Sequence, residues 1–320
     1  MVARHSARLF DHIAPSKPWV AGLTFLLAGW LPLGLQAATP ITNDERIQIF
    51  DQAQRTAVAG PADVKLAGQA VLHLPAARGY VAMPLAGKVL EAMGSSGADV
   101  GLQGIIFPSG GEGWLMTVRF VPAGYVKDDD ARLWNIDELL TGYRKTAEAT
   151  NADRVKRGEP AVDVIGWAAR PVYDPGNHRL AYAVTTRVRG LADSIDSVSL
   201  DTFALGREGY VAMNMVTRLD QLQRYGPSAT ALLEAIEFDA GKRYGDADAS
   251  SDRQASHGVS AIVTGVTAQA GGAINWLPAG LGNARSAWAI GLAVAAAAAL
   301  WALLRRRKPA GAGKPAAPRA

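Results

Sequence analysis

Two hydrophobic segments, one at each end of the 320-residue chain, constrain its fold and location more than anything between them. Near the N-terminus, Arg4, Arg8 and Lys17 precede an apolar run from Trp19 to Leu35 that closes on Gln36-Ala37-Ala38. That order of charged, apolar and small residues is the order of a secretory signal, with cleavage expected after Ala37. Near the C-terminus, Ser286 to Leu304 holds no charge and is followed at once by Arg305-Arg306-Arg307-Lys308. At about 1.5 Å per residue it reaches roughly 28 Å, close to one hydrocarbon core. The basic cluster should stay cytoplasmic, which places everything between the two segments outside. The expected division is a signal peptide over 1–37, an extracytoplasmic domain over 38–256 and an apolar juxtamembrane segment over 257–285. A transmembrane helix over 286–304 and a basic, disordered cytoplasmic tail over 305–320 complete it. The location this implies is the inner (plasma) membrane, crossed once, with the lipid bilayer itself as a partner of the C-terminal helix.

The formal charge of +4 invites a nucleic-acid reading until it is divided along the chain. Outside 38–284 lie ten basic residues and one acidic residue; inside lie 23 basic and 28 acidic, a net charge of −5. The basic character belongs to the ends, where Lys and Arg meet anionic lipid head groups, and nucleic acid is excluded as a partner. The absence of cysteine rules out disulfides, thiol nucleophiles and thiolate metal sites. An exported domain without disulfides must rest on its core, and about 200 residues suffice to bury one.

Helical and strand signals alternate through the middle of the chain. A short helix is expected over 39–59, capped by Asn43, followed by a hairpin over 63–74 that turns at Ala67-Gly68. Pro84 opens a helix to Met93, and strands are expected over 100–107 and 114–121 across the turn Pro108 to Gly113. Asn135 and Glu138 have capping-box spacing for a long helix over 136–158 whose second half should be solvated. Four strands follow, over 162–169, 179–189, 198–205 and 210–216, with turns at Asp174-Pro175-Gly176-Asn177 and Gly206-Arg207-Glu208-Gly209. A last helix is expected over 228–236. Strands joined by short turns pair antiparallel, so the fold class is α+β: an antiparallel β-sheet with helices packed on it, plus the C-terminal transmembrane helix. Ser260, Thr264, Thr267, Gln269 and Asn275 make the stretch before the anchor a poor second span. A helix packed on the domain or lying at the membrane interface is expected there.

Several runs are specific enough to compare. They are Gly124-Tyr125-Val126-Lys127-Asp128-Asp129-Asp130, Asn151 with Arg154 and Gly158, and Gly166-Trp167 with Pro171, Tyr173-Asp174 and His178. Leu205-Gly206-Arg207-Glu208-Gly209 and Phe238 with Gly241-Lys242-Arg243-Tyr244 follow. Together, in this order, they resemble the bacterial membrane-anchored family catalogued as domain of unknown function 2167, over roughly 60–265. His257 stands before Gly258 where that family more often has Tyr. The resemblance implies an exported domain with a C-terminal anchor and implies no activity. The element order is also similar to the α/β/α sandwich of the PsbP and DcrB type, which would favour binding or assembly over catalysis, although fold does not fix function.

The same runs supply the candidate ligand- or partner-binding residues: Tyr125, Lys127, Asp128, Asp130, Asn151, Arg154, Trp167, Tyr173, Asp174, His178 and Arg207. Asp128-Asp129-Asp130 lacks the alternate spacing and the glycine of a calcium loop. It reads as a solvated turn, a divalent-ion site or a partner contact, with Lys127 neutralising it. Asp174 and His178 bracket a turn, where carboxylate and imidazole either meet as a general base requires or pin the hairpin. Arg207 offers a guanidinium fork to an anion or closes a salt bridge. Tyr125, Trp167 and Tyr173 either line a groove or pack in the core. No Gly-x-Ser-x-Gly elbow, phosphate loop, dinucleotide fingerprint or zinc spacing appears, and Ser109 in its glycine-rich turn is a poor nucleophile. Neither a catalytic residue, a metal nor a cofactor is therefore expected. The expected function is a non-enzymatic binding or assembly domain of the cell envelope, facing an envelope protein partner. The alternative is an envelope hydrolase or metal-dependent enzyme using the Asp128 to Asp130 loop with Asp174 and His178. The small-residue-rich span, Gly291, Ala293 and Ala295 to Ala299, also permits close helix packing into a homo-oligomer.

Overall fold

The computed structural model describes residues 41–95, 100–110, 112–156, 159–190 and 196–265. The expected signal peptide, transmembrane helix and tail, and 266–285 of the apolar segment, lie outside these residues. Among the described residues no helix is long and apolar enough to cross a membrane.

In chain order the elements are α1 (Asn43–Thr56), β1 (Val58–Ala59), β2 (Ala62–Leu66), β3 (Ala70–Leu74), β4 (Arg78–Ala82) and α2 (Leu85–Ala92). Then come β5 (Leu102–Pro108), β6 (Leu115–Val121), α3 (Ile136–Lys156), β7 (Val162–Asp174), β8 (Arg179–Val188), β9 (Ser197–Leu205) and β10 (Tyr210–Arg218). The last are α4 (Leu222–Glu234), β11 (Ile236–Phe238) and α5 (Val259–Thr264). Eight strands form one antiparallel sheet in the order β1-β4-β5-β6-β10-β9-β8-β7, and β11-β3-β2 form a second, smaller sheet.

Period-two alternation along the central strands sends successive side chains to opposite faces. Val211, Met213 and Met215 of β10 join Leu66, Leu72 and Leu74 of the small sheet and Leu232 and Leu233 of α4 in one core. Tyr210 and Ala212 of the same strand face the other way, into a core with Leu139 and Tyr143 of α3 and Ile262 and Val263 of α5. A third cluster joins Val81 of β4 and Ile105 of β5 to Ala86, Val89 and Leu90 of α2 and Ala53 of α1. Because Val81 and Ile105 alternate with Tyr80 and Ile106 of the first core, α1 and α2 share a face of the sheet with α3. Each fully buried Leu or Met contributes about 1.5–3 kcal/mol of transfer free energy.

The hairpin turns at Ala67-Gly68 as expected, both residues at positive φ. Asn135 Oδ1 accepts from the backbone N–H groups of Asp137 and Glu138, capping α3 at the expected place. Thr42, not Asn43, caps α1: its Oγ1 accepts from Glu45 N–H, and Glu45 Oε2 accepts in return from Thr42 N–H at 2.8 Å. Thr42→Ala should therefore cost about 1 kcal/mol of stability by chemical denaturation, whereas Asn43→Ala should be nearly neutral. α4 begins six residues earlier than the sequence suggests and carries Pro227 within it.

Edge strand β7 runs to Asp174, longer than expected, and its register against β8 breaks three times between Val164 and Val172. Bulges at a free edge bend the strand and hinder pairing with another chain. Arg144 of α3 covers part of that edge, donating to the carbonyls of Val164 and Ile165 at 3.2 and 2.6 Å.

Candidate functional site

The segment after β6, residues 122–135, crosses the end of the sheet where the β7–β8 turn and the segment after β11 also arrive. Its first candidate, Tyr125, is held by backbone: its N–H donates to Arg253 C=O and its C=O accepts from Ala255 N–H, both at 2.8 Å. Tyr244, which follows β11, donates its hydroxyl to Val126 C=O at 2.8 Å, and its ring lies 4.5 Å from that of Tyr125. These bonds fix the approach of the loop that carries Asp128.

Asp128 is where the chemistry converges. Its Oδ2 accepts from the Tyr173 hydroxyl at 2.7 Å and faces His178 Nδ1 at 3.3 Å, while Tyr173 Oη and His178 Nδ1 are also 3.3 Å apart. The His178 ring stacks on Tyr244 with centroids 3.9 Å apart and planes at 23°. Trp134 packs against Tyr173 at 6.4 Å and donates its indole N–H to Ser260 Oγ at 2.6 Å. The Asp128 and His178 side chains remain 22 % and 28 % exposed, so the cluster opens to solvent on one side.

The cluster is rich in oxygen, with a carboxylate and two phenols around one imidazole. Burial first, and then the Asp128 carboxylate, hold the Tyr173 phenol well above its ordinary range. Burial and a hydrogen bond with Tyr125 do the same for Tyr244, with Asp128 adding to the effect.

His178 sits at φ +52°, a left-handed conformation that glycine or asparagine adopts far more readily. Such strain costs on the order of 1–3 kcal/mol and persists where the surroundings over-determine it. Here Asp174 sets the turn: its carboxylate accepts from Gly176 N–H at 2.8 Å and from Asn177 Nδ2 at 2.7 Å. Those bonds keep Asp174 charged well below the usual carboxylate range. Of the two readings of Asp174 and His178, Asp174 follows the one that pins the hairpin, its carboxylate committed to the turn, and Asp128 faces the imidazole instead. Replacing His178 by Asn should relieve the strain and lose the ring stacking, two effects of about 1 kcal/mol and opposite sign. Unfolding by urea should then shift by no more than about 1 kcal/mol, so this variant separates site from fold.

The remaining candidates have other work. Asp130 caps α5, accepting from Val259 and Ser260 N–H at 3.2 and 3.0 Å, and a Cβ on Gly258 would lie 2.4 Å from its Oδ2. Lys127 is exposed. Asn151 clamps α3 to the start of β7, donating to Val162 C=O at 2.9 Å and accepting from Val162 N–H at 2.8 Å. Arg154 donates to Pro160 C=O at 3.0 Å and pairs with Glu159 in the interior. Trp167 donates to Ile136 C=O at 3.2 Å and packs on Tyr143 and Tyr182. Arg207 makes the two-pronged salt bridge open to it, with Nε and Nη2 at 2.7 and 2.8 Å from the Asp252 carboxylate.

Sequence reasoning missed Tyr244, whose sequence gives no hint that it stacks on a histidine 66 positions earlier. It also missed a buried polar group under the helices: Asp201 accepts from Ser199 Oγ at 3.0 Å and from Asn214 Nδ2. In Val198-Ser199-Leu200-Asp201 the aspartate falls on the polar parity and reads as solvated; the one signal is that Phe203 and Leu205 continue that same parity. Among the described residues no three His, Cys, Asp or Glu side chains converge as a metal would require.

An antiparallel eight-stranded sheet with helices on it, a small second sheet and a carboxylate–phenol–imidazole cluster at one end define an α+β domain with an open polar site. The chain belongs to the family described as protein of unknown function (DUF2167), whose model matches residues 58–294. None of the curated proteins matches it. Among solved structures, the solution structure of cyanobacterial PsbP (CyanoP) from Synechocystis sp. PCC 6803 is similar at a TM-score of 0.35 and 11 % identity, covering 56 % of this chain and 92 % of that one. A likeness that low carries no argument about this fold or its function.

Proposed function

We propose that the protein is a membrane-anchored binding or assembly domain of the cell envelope, facing the periplasm and acting without catalysis. Its contact site is the cluster of Tyr125, Asp128, Tyr173, His178 and Tyr244. The observation that carries this reading is the convergence of the Asp128, Tyr173 and His178 polar atoms within 3.3 Å, partly exposed, on a strained turn. Strain retained beside exposed polar groups is the pattern of a ligand contact. The charge-free segment 286–304 with its basic flank supports the anchor, and its small residues support self-association in the bilayer.

The test is affinity capture of the full-length protein from crosslinked membranes, comparing wild type with Asp128→Asn and His178→Asn. A partner captured by wild type and lost by both variants is the expected result. Equal capture by all three would move the contact site elsewhere.

A second reading rests on the facing of Asp128 and His178 Nδ1. A carboxylate on one ring nitrogen orients the other as a general base, which would make the cluster hydrolytic. Asp174 has no part in it. Hydrolysis of an envelope substrate with a bell-shaped pH profile, abolished by His178→Asn, would replace the binding reading; its absence leaves that reading in place.

A further inference from the structure

The structure assigns a metal site to the Asp128, Tyr173 and His178 side chains, for a small transition-metal cation that favours oxygen and imidazole donors. The inference deepens the binding reading of the same cluster and rests on it. Three potential donor atoms, Asp128 Oδ2, Tyr173 Oη and His178 Nδ1, form a triangle with sides of 2.7, 3.3 and 3.3 Å. Two donors each about 2.0–2.2 Å from a metal are roughly 2.9 Å apart at a right angle and roughly 3.4 Å apart at a tetrahedral one. The triangle therefore already has the dimensions of one face of a coordination sphere, and only its hydrogen-bonded side needs to open by a few tenths of an ångström.

The donor chemistry narrows the ion. Carboxylate and phenol oxygens with one imidazole suit Zn(II), Mn(II) or iron, and do not suit a soft, thiol-seeking ion. His, Cys, Asp and Glu alone do not make up the set; the phenol supplies the third donor. The surroundings favour a cation: the Asp128 carboxylate and the Tyr173 phenol meet, with the Tyr244 ring stacked on the His178 imidazole beside them.

Outer contacts hold the imidazole and phenol donors in place, as metal ligands require. Tyr244 stacks on the His178 ring, and Leu205 N–H donates to His178 C=O at 2.9 Å. Trp134 packs on Tyr173, and the turn that sets His178 is fixed by Asp174. The exposed side of Asp128 and His178 leaves room for water to complete the coordination. On binding, three bonds form to the metal, and the Tyr173 hydroxyl proton leaves to solvent. His178 binds through the Nδ1 that faces Asp128.

One other histidine cluster provides the control. His73 faces Asp63 Oδ1 from Nδ1 at 2.7 Å and Glu237 Oε2 from Nε2 at 3.2 Å, on the exposed side of the small sheet. Its two ring nitrogens serve separate carboxylates, so no single ion reaches all three groups.

The experiment uses the full-length protein in detergent, without a histidine tag. ZnCl2 is titrated by calorimetry, and ferric nitrilotriacetate by visible absorption, where a phenolate ligand gives iron(III) a charge-transfer colour. The expected result is one Zn(II) per chain with proton release. Affinity should fall by more than about 100-fold in Asp128→Asn and His178→Asn, since loss of a direct ligand exceeds the 10–100-fold effect of an outer partner. The ferric colour should vanish in Tyr173→Phe and stay in His73→Gln. No stoichiometric binding, binding unchanged in these variants, or binding lost in His73→Gln would each overturn the assignment. If metal binding fails while envelope capture still depends on Asp128 and His178, only this inference falls. If metal binds and no partner is captured, only the partner falls.

Discussion

Replacing Arg154 by leucine is expected to lower the unfolding free energy by about 3–5 kcal/mol, the cost of leaving one member of a buried ion pair without the other. The Arg154 and Glu159 side chains are 2 % and 4 % exposed, with Nη1 3.4 Å from Oε2. Arg154 Nε also donates to Pro160 C=O, so the guanidinium joins the end of α3 to the chain entering β7. Removing it takes from the Glu159 carboxylate an ion pair that it makes while only 4 % exposed, where solvent cannot replace the lost charge. The double variant Arg154→Leu/Glu159→Leu removes both charges and should recover a large part of the loss, because an apolar replacement of a whole buried pair is often neutral. Urea denaturation of wild type, the single and the double variant measures this. If the single variant unfolds within about 1 kcal/mol of wild type, the pair does not carry the corner.

Arg154 also illustrates what the sequence could not say. In the line Glu148-Ala149-Thr150-Asn151-Ala152-Asp153-Arg154, a Glu- and Arg-rich half-helix reads as a solvated face. Asn151 and Arg154 lie three apart, on one side of the helix, and β7 passes beneath that side. Whether a polar side chain meets water or a neighbouring strand's carbonyl depends on tertiary contacts that no local pattern encodes. Turns were legible for the opposite reason. Ala67-Gly68 and Asp174-Pro175-Gly176-Asn177 are set by short-range backbone preferences, and the antiparallel strands they join followed directly. β4 was missed because Arg78-Gly79-Tyr80-Val81-Ala82 is short and holds a glycine, and the β5 pairing that fixes it lies more than twenty residues away. In the candidate site, Asp128, Tyr173 and His178 were nominated from the sequence and are neighbours in space. The pairing among them was not legible, since the carboxylate four residues from His178 is drawn into its own turn and the one fifty residues away faces the ring.

Asp201 should make the protein less stable as pH rises from about 4 to 7. Burial pushes its carboxyl up to about 6, and hydrogen bonds from Asn214 and Ser199, with Arg119 nearby, only partly oppose that. In the unfolded chain an aspartate titrates near about 3.9. Between those values the folded protein holds a proton that the unfolded chain has released. Stability must then fall with rising pH across that window and level off above it. Two units correspond to about 3 kcal/mol, an order-of-magnitude figure for so buried a group. Other groups slope the opposite way: Asp174, Asp248 and Asp252 are held low by hydrogen bonds and are stabilising above their unfolded values. The informative quantity is therefore the difference between wild type and Asp201→Asn. The carboxamide keeps the size of the side chain and an oxygen for Asn214 Nδ2, and it does not titrate. Subtracting the variant's urea-unfolding curve from that of wild type should leave a component that declines between pH 4 and 6.5 and is flat beyond. A difference that is flat throughout would mean that Asp201 is ionised at both ends of the window. Its charge would then be held in the sheet by Arg119 and the Asn214–Ser199 pair strongly enough to outweigh burial.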